Sequence, residues 1–107
     1  MADCLFCKMS QNEIPTEKLH EDEFCFVIND IRPQAKVHLL IIPHQHIKSL
    51  DDVNEKHDKI FMHMIKLLPD LAKKQGLSDG FKTVIHTGKG GGQEIFHLHI
   101  HLLGGFT

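Results

Sequence analysis

The chain has 107 residues, enough for one compact domain and too few for two. With 41% hydrophobic and 24% charged residues it can bury a core without disulfides or metals as its main support, which excludes disordered and disulfide-framework classes. A formal net charge of -2 gives no basic footprint for a nucleic-acid polymer or an acidic membrane.

Three cysteines, two of them close together, do not make a secreted framework, so the compartment reads as reducing. The segment Met1 to Cys4 lacks a positive start and an apolar run, and no stretch approaches the roughly 18 to 20 apolar residues of a membrane span. Cytoplasm is the expected location. A chain this short is also expected to complete its surface by pairing with a copy of itself.

In chain order, Asp3 to Ile14 opens with a short helical turn carrying Leu5, Phe6 and Met9, which Pro15 ends. Phe24 to Ile28 is a β-prone apolar run, and Asp30 to Gln34 supplies turn chemistry after it. Val37 to Ile42 is a second, more deeply buried strand stopped by Pro43, and the two are expected to pair antiparallel. Asp52 with Glu55 three residues later resembles a capping box. Ile60, Phe61, Met64, Leu68 and Leu71 recur at helical spacing, which predicts a helix from about Val53 to Gln75. Pro69 should kink or split it, and Gly76 suits its stop. A strand follows at Phe81 to Ile85, then the glycine-rich loop Gly88 to Gly92, then a last strand from Glu94 to Leu103. One long helix among short-connected strands predicts an α+β fold, an antiparallel sheet with helix packed on one side.

Ten histidines in 107 residues, with no Trp and no Tyr, are the unusual feature. In the last predicted strand His97, His99 and His101 alternate with Phe96, Leu98, Ile100 and Leu102, so three imidazoles share one face while aliphatic side chains bury the other. The glycines before them let backbone N–H groups turn toward an anion, and a phosphate would fit between loop and imidazoles. A glycine run is also an ordinary hairpin connection, and the spacing alone leaves both readings open. Neutral imidazole can present a bare nitrogen to phosphorus while a neighbour carries a proton. A covalent nucleotidyl-histidine would divide one hard displacement into two easier steps, with no catalytic metal. Cys4 and Cys7 are spaced so that both thiolates reach one tetrahedral ion, but one pair is only half a site.

The run Gly91-Gly92-Gln93-Glu94-Ile95-Phe96-His97-Leu98-His99-Ile100-His101-Leu102-Leu103-Gly104-Gly105 resembles the signature of the histidine-triad (HIT) family. The closing Leu-Leu-Gly-Gly and the preceding Gly-Gly-Gln are similar to its Hint branch, the nucleoside phosphoramidases. So are Asn29 to Ala35, Val37 to Pro43, Cys4 to Lys8 and Glu13 to Pro15.

The resemblance implies a HIT-like fold whose sheets join across a homodimer. It also implies hydrolysis of a purine nucleoside phosphoramidate or acyl conjugate at the α-phosphate, releasing a purine mononucleotide. By motif position His99 is implied as nucleophile, His101 as the residue holding the phosphate, and His38 as the third member of the cluster. Asp30 is implied to accept the ribose hydroxyls, although outside this context it would be a plain turn residue. Leu5, Phe6, Met9, Ile28 and Ile31 would clamp the base, or simply form core. Gln93, with the backbone of Gly92 and Glu94, would face the phosphate and leaving group.

His86 stands where the Hint branch usually has asparagine, so contacts to sugar or phosphate there would differ. Many relatives continue past Gly104-Gly105 with a tail that shapes the partner's pocket, so the resemblance leaves the leaving group open.

Some members complete the cysteine pair with two histidines, here His46 and His97, around a structural zinc. Two free thiols are the alternative. His57 and His63 are expected to be solvated or at a dimer seam, and His20 and His44 carry no signal. Competing functions are a dinucleoside polyphosphate hydrolase, as in the Fhit branch, a nucleotide-binding regulatory dimer, and a histidine-rich metal-binding protein.

Overall fold

The computed structural model describes residues 3–106; Met1, Ala2 and Thr107 lie outside the described residues. Helix α1 (Leu5–Ser10) is followed by strands β1 (His20–Glu21), β2 (Cys25–Asn29) and β3 (Val37–Pro43). Then come helix α2 (Asp58–Lys74), β4 (Lys82–Val84) and β5 (Ile100–Gly104). The strands form one antiparallel sheet in the order β1-β2-β3-β5-β4. The fold is α+β, as the sequence predicts, and β2 pairs with β3 in antiparallel register. No helix among the described residues is long and apolar enough to cross a membrane.

Period-two alternation explains why β2 and β3 read as unbroken apolar runs: the sheet is covered on both faces. Val27, Leu39, Ile41, Ile100 and Leu102 point to one side and pack with Met64, Leu68 and Leu71 of α2. Phe26, Ile28, Leu40 and Ile42 point to the other and meet Phe6 of α1. Each such side chain, fully buried, contributes about 1.5–3 kcal/mol.

The helix begins later than the predicted Val53. Two 3-10 turns precede it, Leu50–Asp52 capped by Ser49 and Glu55–His57 capped by Asn54. The capping box therefore belongs to Asn54, whose side chain accepts from the Lys56 N–H and whose own N–H donates to His57 Nδ1. Val53 between the turns is extended. Pro69 does not split α2, which runs unbroken through it; its ring forgoes the bond to the carbonyl of Ile65, a residue on the exposed side of the helix. The stop is as predicted. Gly76 takes φ 79°, and the N–H groups of Gly76 and Leu77 donate back to Lys73 and Ala72, closing a Schellman turn.

The last strand is shorter than the predicted Glu94 to Leu103. The β3–β5 register pairs Ile41 with Ile100, so its continuation sets Pro43, which has no N–H to offer, opposite Leu98. Leu98 N–H donates instead to the Ile47 carbonyl, 2.6 Å away. The lead-in through His97 and His99 is thus held by a loop and not by the ladder. The two-residue strand β1 is absent from the predicted elements.

Asp22, beside β1, ties the sheet to α2. Its Oδ1 accepts from the N–H groups of Phe24 and Cys25, and its Oδ2 faces His20 Nε2 and His63 Nε2, each at 2.7 Å. Burial alone would raise this carboxyl; those hydrogen bonds overcome it and hold the group well below the usual carboxylate range. A depressed carboxyl contributes stability that is fully present above its unfolded value, near 3.9, and is lost progressively as pH falls from there through the lower folded value. Asp22→Ala should therefore lower Tm clearly at pH 7, by a difference that starts to shrink as pH falls below about 3.9 and is still partly present at pH 3. Thermal melts of both proteins across that range test this, and parallel curves would contradict it.

Candidate active site

The face of the sheet away from α2 carries the chemistry. Along β5, Ile100 and Leu102 fill the core, so His101 and Leu103 point to the opposite side, and His99 and His97 continue that face into the lead-in. Across the sheet, Ile28, Leu40, His101 and Val84 are paired in register as one row. Asp30 and His38 head the next row, linked by the Asp30 N–H donating to the His38 carbonyl. Together they floor a cavity of about 580 Å³.

Backbone groups decide which imidazole nitrogen carries the proton. The Gln34 N–H donates to His38 Nδ1 at 3.1 Å, so the proton of neutral His38 sits on Nε2. That Nε2–H donates to His101 Nδ1 at 2.9 Å and faces Asp30 Oδ2 at 3.3 Å. His101 therefore holds its own proton on Nε2, which is buried and has no partner among the described residues. His99 is set the opposite way: its Nδ1–H donates to the His97 carbonyl at 2.7 Å, which leaves Nε2 a bare lone pair. The two rings stand 5.0 Å apart. One floor imidazole thus presents a bare lone pair and its neighbour a free donor.

Burial, together with the other imidazoles, favours the neutral forms. His101 is lowered to about 4 by burial first, then by His99, His38 and His86, with Asp30 opposing. Burial likewise lowers His99, against its bond to the His97 carbonyl.

The wall residues divide into those the cavity gathers and those it does not. Leu5, Phe6, Met9 and Ile28 form an apolar side, and Ile31 joins it only at the rim, 92% exposed. Phe6 stands edge-on to His99 with ring centroids 5.2 Å apart. Asp30 lines the cavity while also serving its own turn, since its Oδ1 accepts from the Arg32 N–H at 2.9 Å. The turn contact leaves other lone pairs of the carboxylate open to the cavity, because a carboxylate has four lone-pair sites. Gly92, Glu94 and His86 are on the wall.

Gln93 is not on the wall, which corrects its expected place facing the phosphate. Its buried side chain accepts from the Gly88 N–H and donates to the carbonyls of Lys48 and Ile95. It closes the glycine loop, where Gly88 at φ 71° and Gly92 at φ 83° adopt left-handed conformations that favour glycine.

A second cluster lies beyond Phe6. Cys4 Sγ is 3.2 Å from His97 Nδ1, Cys7 Sγ is 3.4 Å from His46 Nδ1, and the two Nδ1 atoms are 3.2 Å apart. All four donor atoms lie within 4.8 Å of one another. His97 Nε2–H donates to the Pro43 carbonyl at 2.8 Å, which leaves its Nδ1 lone pair turned into the cluster. His97 shares the triad's face but not its cavity.

Sequence reading missed Leu40, Val84 and Leu103 in the floor, and Arg32 and Lys82 at its margin. Alternation from His38 marks Leu40, and alternation from His101 marks Leu103; the β4 residues needed the register. It also missed His44, which bridges Ser10 Oγ at 2.6 Å and the Asp22 carbonyl at 2.9 Å. His63, expected to be solvated or at a seam, is on Asp22.

A single α+β sheet with a histidine-floored cavity on its free face defines the class. Residues 3–106 match the family described as scavenger mRNA decapping enzyme C-term binding. Protein HitA of Neisseria gonorrhoeae is 48% identical over 104 residues, covering 97% of this chain and 97% of that protein. The purine nucleoside phosphoramidase of Escherichia coli strain K12 is 36% identical over 104 residues, covering 96% of this chain and 87% of that protein. The crystal structure of a HIT family hydrolase from Legionella pneumophila Philadelphia 1 matches with a TM-score of 0.94 at 44% identity, over 98% of this chain and 95% of that one. The chain belongs to the histidine-triad family.

The relay has a direct spectroscopic consequence. In a long-range 1H–15N correlation at neutral pH, His99 should show the Nδ1–H tautomer and His101 the Nε2–H tautomer. His101 should stay neutral until pH falls toward about 4. Between that value and about 6.5 the unfolded chain holds a proton that the folded chain does not, so this residue's contribution to stability increases as pH rises through the window. A His101 that titrates near its unfolded value would contradict the buried relay.

Proposed function

We propose that the protein is a hydrolase of purine nucleoside phosphoramidates and related conjugates, cleaving at the α-phosphate through a covalent nucleotidyl-His99 intermediate. The observation that carries this reading is the opposed pair of tautomers in one cavity: a bare Nε2 on His99 and an unpartnered Nε2–H on His101. The first attacks phosphorus. The second donates to a non-bridging phosphate oxygen, which satisfies a buried donor and stabilises the charge that develops there. His38 keeps His101 in that tautomer, Asp30 accepts the ribose hydroxyls, and the apolar side around Phe6 and Met9 takes the base. Similarity to the E. coli phosphoramidase supports this substrate class over the dinucleoside polyphosphates.

His99→Ala should bind adenosine monophosphate nearly as well as wild type while its turnover of an adenosine phosphoramidate falls by orders of magnitude. Asp30→Ala should instead weaken binding about ten- to a hundredfold, as loss of a charged hydrogen bond does. Titration calorimetry and steady-state rates separate the two, and comparable kcat in purified His99→Ala would remove the nucleophile assignment.

We further propose that Cys4, Cys7, His46 and His97 hold a structural zinc. A tetrahedral zinc separates two nitrogens by about 3.3 Å and a nitrogen from a sulfur by about 3.6 Å, close to the spacings of these donors. Bound there, the ion would tie α1 to the lead-in of β5 and take no part in the chemistry at phosphorus. A homodimer completes the proposal, because α2 leaves Met62 and Ile65 exposed and β4 is an edge strand. Metal analysis of protein purified without an affinity tag should give about one zinc per chain. Cys7→Ser should abolish it and lower Tm far more than kcat. Metal-free protein whose Tm ignores strong chelator would leave the four residues as a thiol–imidazole core.

A further inference from the structure

The cavity holds a fourth imidazole that the relay does not use. Strand β4 pairs Lys82 with Leu103 and Val84 with His101. The same register carried two residues past the end of the ladder brings His86 abreast of His99. The His86 ring meets His101 edge-on with centroids 5.1 Å apart. Its Nδ1–H donates to the Gly91 carbonyl at 3.0 Å, which leaves Nε2 as the atom that gains or loses a proton. His99 is buried in the floor, whereas His86 is exposed at the mouth.

This inference rests on the hydrolase reading. An in-line displacement that starts from His99 in the floor sends the leaving group outward, toward the mouth. An alkylamine departing from phosphorus needs a proton, and the floor has none to spare. His99 Nε2 becomes bonded to phosphorus, and the one N–H of His101 is spent on a phosphate oxygen, its ring being kept neutral by burial. The charged and titratable groups that line the cavity with His86 are His99 and His101 from β5 and its lead-in, His38 from β3, Asp30 and Arg32 from the turn before it, Glu94 after the glycine loop and Lys82 on its own strand.

We propose that His86 is the proton donor to the leaving group, at a position where the Hint branch usually carries asparagine, which has no proton to give. As the phosphorus–nitrogen bond breaks and the phosphorus–His99 Nε2 bond forms, His86 Nε2–H passes its proton to the departing nitrogen. In the second half, water attacks phosphorus, the phosphorus–His99 bond breaks, and neutral His86 Nε2 takes the proton that water sheds. One water is consumed per turnover, and His86 returns to its protonated form.

The test compares adenosine 5′-(N-butyl)phosphoramidate, whose amine must be protonated to leave, with adenosine 5′-(p-nitrophenyl) phosphate, whose phenolate leaves unaided. His86→Asn should lower kcat/KM about a hundredfold on the first and only a few-fold on the second. The wild-type rate on the butylamide should decline as pH rises, and that decline should vanish in the variant. His86→Gln serves as a second variant, with adenosine monophosphate affinity and circular dichroism checking that both fold. Equal losses on the two substrates would make His86 a phosphate contact, and no loss on either would make it a bystander; both outcomes overturn the proposal. Wild-type protein that cleaves neither compound overturns the hydrolase reading itself, and this role with it.

Discussion

A buried neutral imidazole has one proton and one lone pair, so whatever the fold binds to one nitrogen dictates what the other can do. In this protein that rule passes from ring to ring. The Gln34 N–H takes the lone pair of His38, His38 gives its proton to His101, and His101 is left with an N–H aimed into the cavity. The His97 carbonyl does the reverse to His99. The relay exists only if β3 and β5 keep their register, because a slip of one residue would turn His101 toward α2 and send Ile100 or Leu102 into the cavity. Packing of Leu39, Ile41, Ile100 and Leu102 against α2 enforces that register. Ordinary core burial on one face of the sheet thereby holds proton positions on the other.

Local partners, not residue type, separate the histidines into groups. His97, His99 and His101 alternate along one segment and look equivalent, yet His97 shares its Nδ1 with two thiols and His46 while His99 and His101 meet the cavity. Phe6 is the partition: its ring stands edge-on to His97 on one side and His99 on the other. Elsewhere His20 and His63 share a single carboxylate oxygen of Asp22 and serve to join β1 to α2. Each arrangement gives a buried or half-buried imidazole a hydrogen-bond partner, without which its burial would be costly.

Much of this was legible in the chain because apolar runs and two periodicities carry it. Unbroken β-prone apolar runs marked β2 and β3, alternation marked the triad face, and the 3.6-residue stripe marked α2. The misreadings occur where a second local preference competes. Ser49 and Asn54 each cap a short turn, so the helix begins after the predicted Val53. Pro43 has no N–H for a longer ladder, so β5 begins at Ile100. Gln93 shows the limit for the site: a polar residue beside a glycine loop reads as a ligand contact, but its amide satisfies three backbone groups of the loop itself. Arg32 and Lys82 could not be foreseen at the cavity margin, because their approach depends on a loop and a strand pairing distant in sequence.

Helix α1 shows how the two histidine groups are coupled. Six residues are too few to hold a helix in water, and its own cap is a weak one, the Cys4 sulfur accepting from the Cys7 N–H at 3.4 Å. What keeps it in place is its contact with the lead-in of β5, through Cys4 and Cys7 on His97 and through Phe6 on His97 and His99. That same helix supplies Leu5, Phe6 and Met9 to the apolar wall of the cavity. The thiol–imidazole cluster thus bears on the apolar wall of the cavity, whereas the relay through Gln34, His38 and His101 is anchored in β3 and β5. The apolar wall of the cavity and the proton on His101 are held by different contacts, one through α1 on the lead-in of β5 and the other through β3 paired with β5.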